Sequence, residues 1–426
     1  MSVRVGFGSL EPTVSSLPAP RSKDFVDRLA RSESPAFTAR RTRRENESGA
    51  AQDPIVWKRA HGSNVEDVDG NIYVDFSSGF GVAAIGHSHL AVQAAITEQS
   101  TRLIHALGDL HPSDRKVELL ERLCDLAPWD EARAVLSLSG SEAVEVALKT
   151  AALHSQKPGV LAFDGGYHGL AYGPLSACGY SKSFRDPFAA QLNPAVYLHP
   201  FGADPGPLPA DVGAILVEPI QGRGGVHQAP PSFLQALRKR ADDAGALLIV
   251  DEIFTGLGRC GQTFVSGDQA DLLCIGKALG GGAPISACLG KSSVMDAWAG
   301  DGVGGEAIHT GTFYGNPLGC AAALATLDVL RQEALAERAL EVGARFQAAL
   351  SPLGEVRGVG LMIGLVPNSS TPRSNVLGLV RRLLERGFIT LPAGMHAEVL
   401  QLVPPLNIPE ALLHSFVATL SEALSE

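Results

Sequence analysis

The chain has no apolar run of the roughly 18–20 residues that a membrane-crossing helix requires, and its six cysteines form no CxxC pair. Those thiols, at 124, 178, 260, 274, 288 and 320, are too scattered for a disulfide framework or a zinc site. Such usage points to a reducing compartment, the cytoplasm. The first twenty residues lack the continuous apolar core of a secretory signal and read as a loose arm with scattered Gly, Pro and Ser. Basic charge is also short. Lys and Arg number 35 against 45 Asp and Glu, a net charge of −10, so nucleic acid is not an expected partner. The basic run at 40–53, RRTRRENESGAAQD, reads as a solvated connection.

What is present is a long, apolar-rich chain. Over 426 residues, 45% are hydrophobic and 19% charged, enough to bury a large core of one to three domains. Glycine is abundant, 47 residues against the roughly 7% of average usage, which implies tight turns and close backbone approaches. From about residue 134, short aliphatic runs alternate with amphipathic stretches. AVLSL, GVLAF, VGAILV and ALLIV have strand length, whereas EAVEVALKTAALHS and SFLQALRKRADDAG have helical spacing. Continuous apolar strands separated by helices predict a parallel sheet covered on both faces, an α/β architecture. After about 320 the texture becomes α+β, with a long helical stretch at 317–350, VRGVGLMIGLV, a helix near 374–386, FITLP, VLQLV and a closing helix at 409–424. Residues 55–76, with DGN between VEDV and IYVDF, predict a hairpin that packs on either part.

Open parallel sheets place ligands at the carboxyl ends of their strands, and four polar groups fall there. Ser139-Gly140-Ser141-Glu142 joins a strand to a helix, where free amides and the helix dipole suit a phosphate; a plain N-cap would use the same residues. Asp251-Glu252 ends the run ALLIV. A carboxylate there needs a metal, a basic side chain such as Arg259, or a protonated ring nitrogen. Lys277 in DLLCIGKALGGG is either an ordinary lysine or a desolvated nucleophile. Its surroundings match neither G-x-x-x-x-G-K-[ST] nor G-x-G-x-x-G. Tyr167 in GGYHG can lie flat on a planar ligand or serve loop packing, and His168 beside it can be structural. The histidines of GHSH at 87 and 89 suggest a turn, and no metal site is expected.

Phosphate cradle, stacking aromatic, strand-end carboxylate and lysine, in that order, describe a pyridoxal phosphate site. The chain resembles the class III (ω-amino acid type) aminotransferases of the fold-type I pyridoxal phosphate enzymes. The matching stretches are VDGNIYVDFSSGFGVAAIGHSH, SLSGSEAVEVALK, FDGGYHGL, ILVEPIQG, LIVDEIFTGLGRCG, IGKALGGGAPISA and HTGTFYGNPLGCAAAL, with VLQLVPPLNI near the C-terminus. The resemblance implies a large domain with a mostly parallel seven-stranded sheet between helices, and a smaller α+β domain. On that pattern residues 1–54 are an arm and lead-in, 55–90 contribute to the small domain and the active-site edge, 91–325 form the cofactor-binding domain and 326–426 the small domain.

By the same resemblance Lys277 forms the internal aldimine with pyridoxal 5'-phosphate and shuttles a proton, and Asp251 keeps the pyridine nitrogen protonated. Gly140 and Ser141 hold the phosphate. Tyr167 and Ile253 flank the ring, with His168, Glu218 and Phe254 nearby. Thr312 reaches the phosphate of a neighbouring subunit, which implies a homodimer. Phe80, Arg223 and Gln401 are the substrate-side candidates. Departures from the family pattern concern substrate choice. Phe254 stands where many relatives have a Gln, and Leu170 and Gln401 where relatives have carboxylate-binding arginines. Arg223 occupies the position of the Glu in QGEGG, so Arg223 with Gln401 is a candidate relocated clamp for a keto acid. The expected reaction moves an amino group from a primary amine or ω-amino acid to a 2-oxo acid. An aminomutase, racemase or decarboxylase would share the same motifs, and a non-catalytic scaffold would have no need of them.

Overall fold

A computed structural model describes residues 8–299, 306–368 and 374–426 of the chain. The central sheet has seven strands in the order Ala132–Ser137, Ser286–Lys291, Leu272–Ile275, Leu247–Asp251, Val212–Val217, Gly159–Phe163 and Val196–His199. Six run in one direction; Ser286–Lys291 is antiparallel to both of its neighbours. The near-continuous aliphatic strands are buried on both faces. Along Leu247–Asp251, Leu248 and Val250 enter the core that contains Phe233 and Leu237 of the helix Phe233–Ala244. Leu247 and Ile249 enter the opposite core, with Ala143 and Val146 of the helix Gly140–Ser155. The two-residue period of the strand thus serves two layers of helix.

Two smaller sheets flank this one. Gly354–Val359, Met362–Pro367, Val399–Leu402 and Leu391–Ala393 form an antiparallel sheet. Trp57–His61, Asn64–Asp67 and Ile72–Asp75 form the expected hairpin region, and Ile72–Asp75 pairs in parallel with Phe388–Ile389 from the far end of the chain. The sequence left open where this hairpin packs; a cluster of four rings answers it. Phe76, just past the hairpin, stacks on Phe416 of the closing helix Glu410–Ser425 at 4.1 Å between centroids, with Phe346 and Phe388 around them.

Two local expectations are corrected. The leading arm is not loose where it is described. Gly8 and Leu10 donate their amides to Asn64 Oδ1, and Thr13 exchanges backbone hydrogen bonds with Ile72. Residues 1–7 of the arm lie outside the described residues. The helical stretch at 317–350 is two helices, Pro317–Gln332 and Leu335–Leu350, broken where Ala334 takes φ = +47°, a conformation a helix does not permit.

Because Phe416 is fully buried between elements distant in sequence, Phe416→Ala should lower the unfolding free energy by about 3–5 kcal/mol in chemical denaturation. A loss well under 1 kcal/mol would show that the ring cluster does not hold the two ends of the chain together.

Candidate active site

Parallel strands end on one side of the sheet, and that geometry gathers the polar groups found in the sequence. A cavity of about 490 Å³, within the usual size range for small-molecule sites, is lined by Ser139, Gly140, Ser141, Tyr167, His168, Glu218, Asp251, Ile253, Phe254 and Lys277. Each ends or follows a strand of the central sheet. The cavity also takes in Leu170, noted above as a departure from the family pattern, and Val82, Leu138 and the 282–285 segment, which motif reading did not single out. The glycine run after Lys277 was the signal for the last of these.

At the start of Gly140–Ser155 the cap and the cradle turn out to coexist. Glu142 N donates to Ser139 Oγ at 3.3 Å, and Ser139 N donates to Glu142 Oε2 at 2.9 Å, a complete capping box. The first amides of such a helix keep no intrahelical partner and face outward. A Cβ on Gly140 would sit 2.7 Å from Ile253 Cδ1, so only glycine lets the helix start approach the cavity wall this closely. The Ser141 hydroxyl accepts from Ala171 N at 3.1 Å and retains its own proton to donate.

Asp251 is held by two groups. His168 Nδ1 lies 2.8 Å from Oδ2, and Ile253 N donates to Oδ1 at 3.1 Å. The expected alternative, an ion pair with Arg259, is not formed. Arg259 is buried and donates to the carbonyls of Leu361 and Pro404, while Glu252 accepts from Thr255 and Ser266. Burial opposes charge on the His168 imidazole, yet the hydrogen bond and charge of Asp251 outweigh it and raise its pKa.

Lys277 adopts φ = +33°, a strained conformation for a side-chain-bearing residue. Its Nζ lies 4.4 Å from the centroid of the Phe254 ring. Burial pulls the amine below the ordinary lysine value, against the pull of Asp251 and Glu218 in the other direction, and Arg223 adds to the lowering. Glu218 accepts from Tyr167 N at 2.9 Å and Gly222 N at 3.3 Å, and burial pushes its carboxyl up to about 7. A buried amine with a weakened hold on its proton, beside two carboxylates and an imidazole, is equipped for proton transfer and for nucleophilic attack on a carbonyl.

Not every candidate lies in the cavity. Phe80 and Thr312 are exposed and do not line it. Gln401 is buried and spends its Nε2 on the carbonyl of Gly222 at 2.8 Å, so it is not free to join Arg223 in a clamp. Arg223 instead stacks beside Tyr167. The basic segment read as a solvated connection is largely the helix Pro35–Ser48, and two of its arginines feel the charge of Arg223. The GHSH histidines are structural: His87 bonds Asp75, and His89 caps the helix Leu90–Arg102.

Known proteins resemble this chain in sequence and fold. A family model described as aminotransferase class-III matches residues 47–424. The 5-aminovalerate aminotransferase DavT of Pseudomonas aeruginosa is 36% identical over 407 residues, covering 88% of this chain and 94% of that one. The 4-aminobutyrate aminotransferase GabT of Escherichia coli is 33% identical with the same coverage. Among solved structures, an amine transaminase from an uncultivated Pseudomonas species in its PLP-bound form matches with a TM-score of 0.80 and 30% identity. That match covers 88% of this chain and 95% of that one.

The raised pKa of Glu218 has a stability consequence. The folded state holds this proton more tightly than the unfolded state, so the contribution is full below pH 4.5 and is lost as pH rises through about 7. In the cofactor-free protein, Glu218→Gln should therefore gain stability relative to the parent across that window, on the order of 3 kcal/mol by pH 8. A difference that stays constant from pH 4.5 to 8 would mean that Glu218 ionises normally.

Proposed function

The chain belongs to the class III aminotransferases, pyridoxal 5'-phosphate enzymes, and from that we propose that it moves an amino group from an ω-amino acid or other primary amine to a 2-oxo acid. The observation that carries this reading is the meeting of Lys277, Asp251 and the Gly140–Ser141 helix start in one cavity. The residues fit the cofactor. The Asp251 carboxylate suits a protonated ring nitrogen, the outward amides of Gly140 and Ser141 suit a phosphate, and Tyr167 and Ile253 offer flat walls between them.

When bound, the cofactor supplies an exchangeable carbonyl and an electron-withdrawing ring. The protein supplies the rest. Lys277 Nζ, disposed by burial toward its neutral form, takes the proton from the amino-bearing carbon of the substrate and returns it to the adjoining position. Asp251 contributes negative charge where the ring nitrogen gains positive charge, and His168 fixes the orientation of that carboxylate. Phe254, in place of a polar side chain, confines the amine and keeps the inner cavity apolar. ω-Amino acids are the substrates named for DavT and GabT, which supports the donor class proposed here.

The active unit in this reading is a homodimer in which Thr312 reaches the partner's cofactor. Its support is an exposed apolar surface that includes Ile104, Leu107, Leu110, Ile308 and Phe313. Asn316 Nδ2 donates to Ile104 O at 3.0 Å, and the His105 and Phe313 rings lie 5.3 Å apart, so the two segments form one face. All six cysteines are free, which supports a cytoplasmic location.

Three measurements follow. 5-Aminovalerate, 4-aminobutyrate and a simple primary amine, each paired with pyruvate or 2-oxoglutarate, should include a pair that releases a carbonyl product and an equal amount of new amino acid. Racemisation of L-alanine added in place of the donor, without carbonyl release, or evolution of carbon dioxide, would point to the related reactions instead. Asp251→Asn should slow the transfer at least about 100-fold, the scale of losing a preorganised electrostatic partner. For the dimer, Leu107→Glu with Leu110→Glu should yield monomers by light scattering that lose cofactor on dialysis. Monomers that retain it as the parent does would remove Thr312 from the site.

A further inference from the structure

Arg223 sits among three aromatic rings beside the cavity without an anionic partner, and two further guanidinium groups feel its charge. The Cζ of Arg223 lies 4.4 Å from the Tyr167 ring centroid, 4.9 Å from that of Tyr180 and 5.3 Å from that of Phe184. Its backbone is pinned as well. Gly394 N donates to Arg223 O at 3.0 Å, Gln401 anchors the carbonyl of Gly222, and the Tyr180 hydroxyl donates to Gly394 O at 3.2 Å. Arg40 and Arg44, one turn apart on Pro35–Ser48, add two further charges. Both guanidinium groups are held below their ordinary value, by burial first. Arg223 then acts most strongly on Arg40; Arg40 and, less strongly, Arg223 act on Arg44. Tyr180 acts on both and Tyr167 on Arg40, so the helix Pro35–Ser48 brings its arginines up to the rings that hold Arg223.

Among the described residues none of the three forms an ion pair with a carboxylate. Glu47, on the same helix, pairs with Arg43. In a chain of net charge −10 such a concentration of uncompensated positive charge is unfavourable by itself. The aromatic faces stabilise Arg223 through its π surface, and one hydrogen bond to the Tyr167 hydroxyl leaves the remaining N–H groups of its fork to donate. The path from Arg223 to the reaction centre is apolar. The Phe254 ring lies against Lys277 Nζ on one side, and on another approaches Gly222, the neighbour of Arg223, so closely that a Cβ on Gly222 would meet it at 2.3 Å.

We propose that Arg223, Arg40 and Arg44 form the binding site for the distal carboxylate of a dicarboxylic 2-oxo acid acceptor, with Phe254 flanking its methylene spacer. The inference rests on the transaminase reading of the same cavity and gives that reading a substrate class. Arg223 binds the carboxylate through its paired N–H groups, as an Arg fork does. Arg40 and Arg44 raise the local potential that draws the dianion in. Gln401 is a positioning residue that holds the Gly222–Arg223 backbone. The site thereby replaces the arginines absent at Leu170 and Gln401 from a different direction, the N-terminal helix.

Isothermal titration of the holoenzyme with glutarate and with butyrate tests this without turnover, since neither probe carries a carbonyl to react. Glutarate should bind the parent more tightly than butyrate. Arg223→Gln should shrink that preference roughly tenfold or more, the scale of a lost charge-assisted pair. Arg40→Gln and Arg44→Gln should each shrink it severalfold. Arg31→Gln, on the exposed face of Pro20–Ser32, controls for loss of one positive charge and should leave the preference at the parent value. Equal binding of the two probes by the parent, or a preference that Arg223→Gln does not alter, overturns the proposal. Failure to transfer an amino group to any 2-oxo acid would instead overturn the functional reading, and the titration remains interpretable in that event.

Discussion

A carboxylate and an amine placed at the tips of two neighbouring buried strands can stay there only if the protein answers the desolvation of each. Asp251 ends one strand and Lys277 follows the next, and both sit in a cavity whose walls are largely protein. Unpaired, either charge would cost several kcal/mol of lost hydration. The structure answers for Asp251 with the His168 imidazole and a backbone amide. For Lys277 it gives an aromatic face and a weakened hold on the proton. What remains is a pair with reactivity to spare, which a ring nitrogen and a carbonyl between them would satisfy.

The rest of the fold serves that placement. Parallel strands bring Ser139, Tyr167, Glu218, Asp251 and Lys277 to one side although more than a hundred residues separate the first from the last. The two layers of helix that cover the sheet are what allow its strands to be continuously aliphatic. The capping box at Ser139 and Glu142 starts a helix while leaving its outward amides free, so the cap that stabilises the turn does not use up the donors a phosphate would need. The C-terminal sheet contributes through Gln401 and Gly394, which hold the loop that carries Arg223.

The central sheet and the pairing of Asp251 with Lys277 at its edge were legible because their signals are local. An aliphatic run states its burial in its own residues, and a charged residue at the end of such a run must have a partner. Signals that depend on distant segments were not legible. Asp251 was weighed against Arg259, eight residues on, but the chain turns Arg259 toward the carbonyls of Leu361 and Pro404. Gln401 looked available for substrate until its contact with Gly222, 179 residues away, was seen. Arg40 and Arg44 read as wet surface, since nothing in a polar stretch announces that its helix will lie near Tyr167 and Tyr180. The N-terminal arm looked loose for a related reason, its anchor being the side chain of Asn64.

The central claim is that one amine, that of Lys277, meets the cofactor across from Asp251. Reductive trapping of the pyridoxal phosphate-loaded protein with borohydride, followed by peptide mass mapping, reads this directly. The account predicts that the cofactor mass is found on the peptide carrying Lys277 and on no other lysine. Label on a different lysine, or a protein that takes up no cofactor, would contradict it.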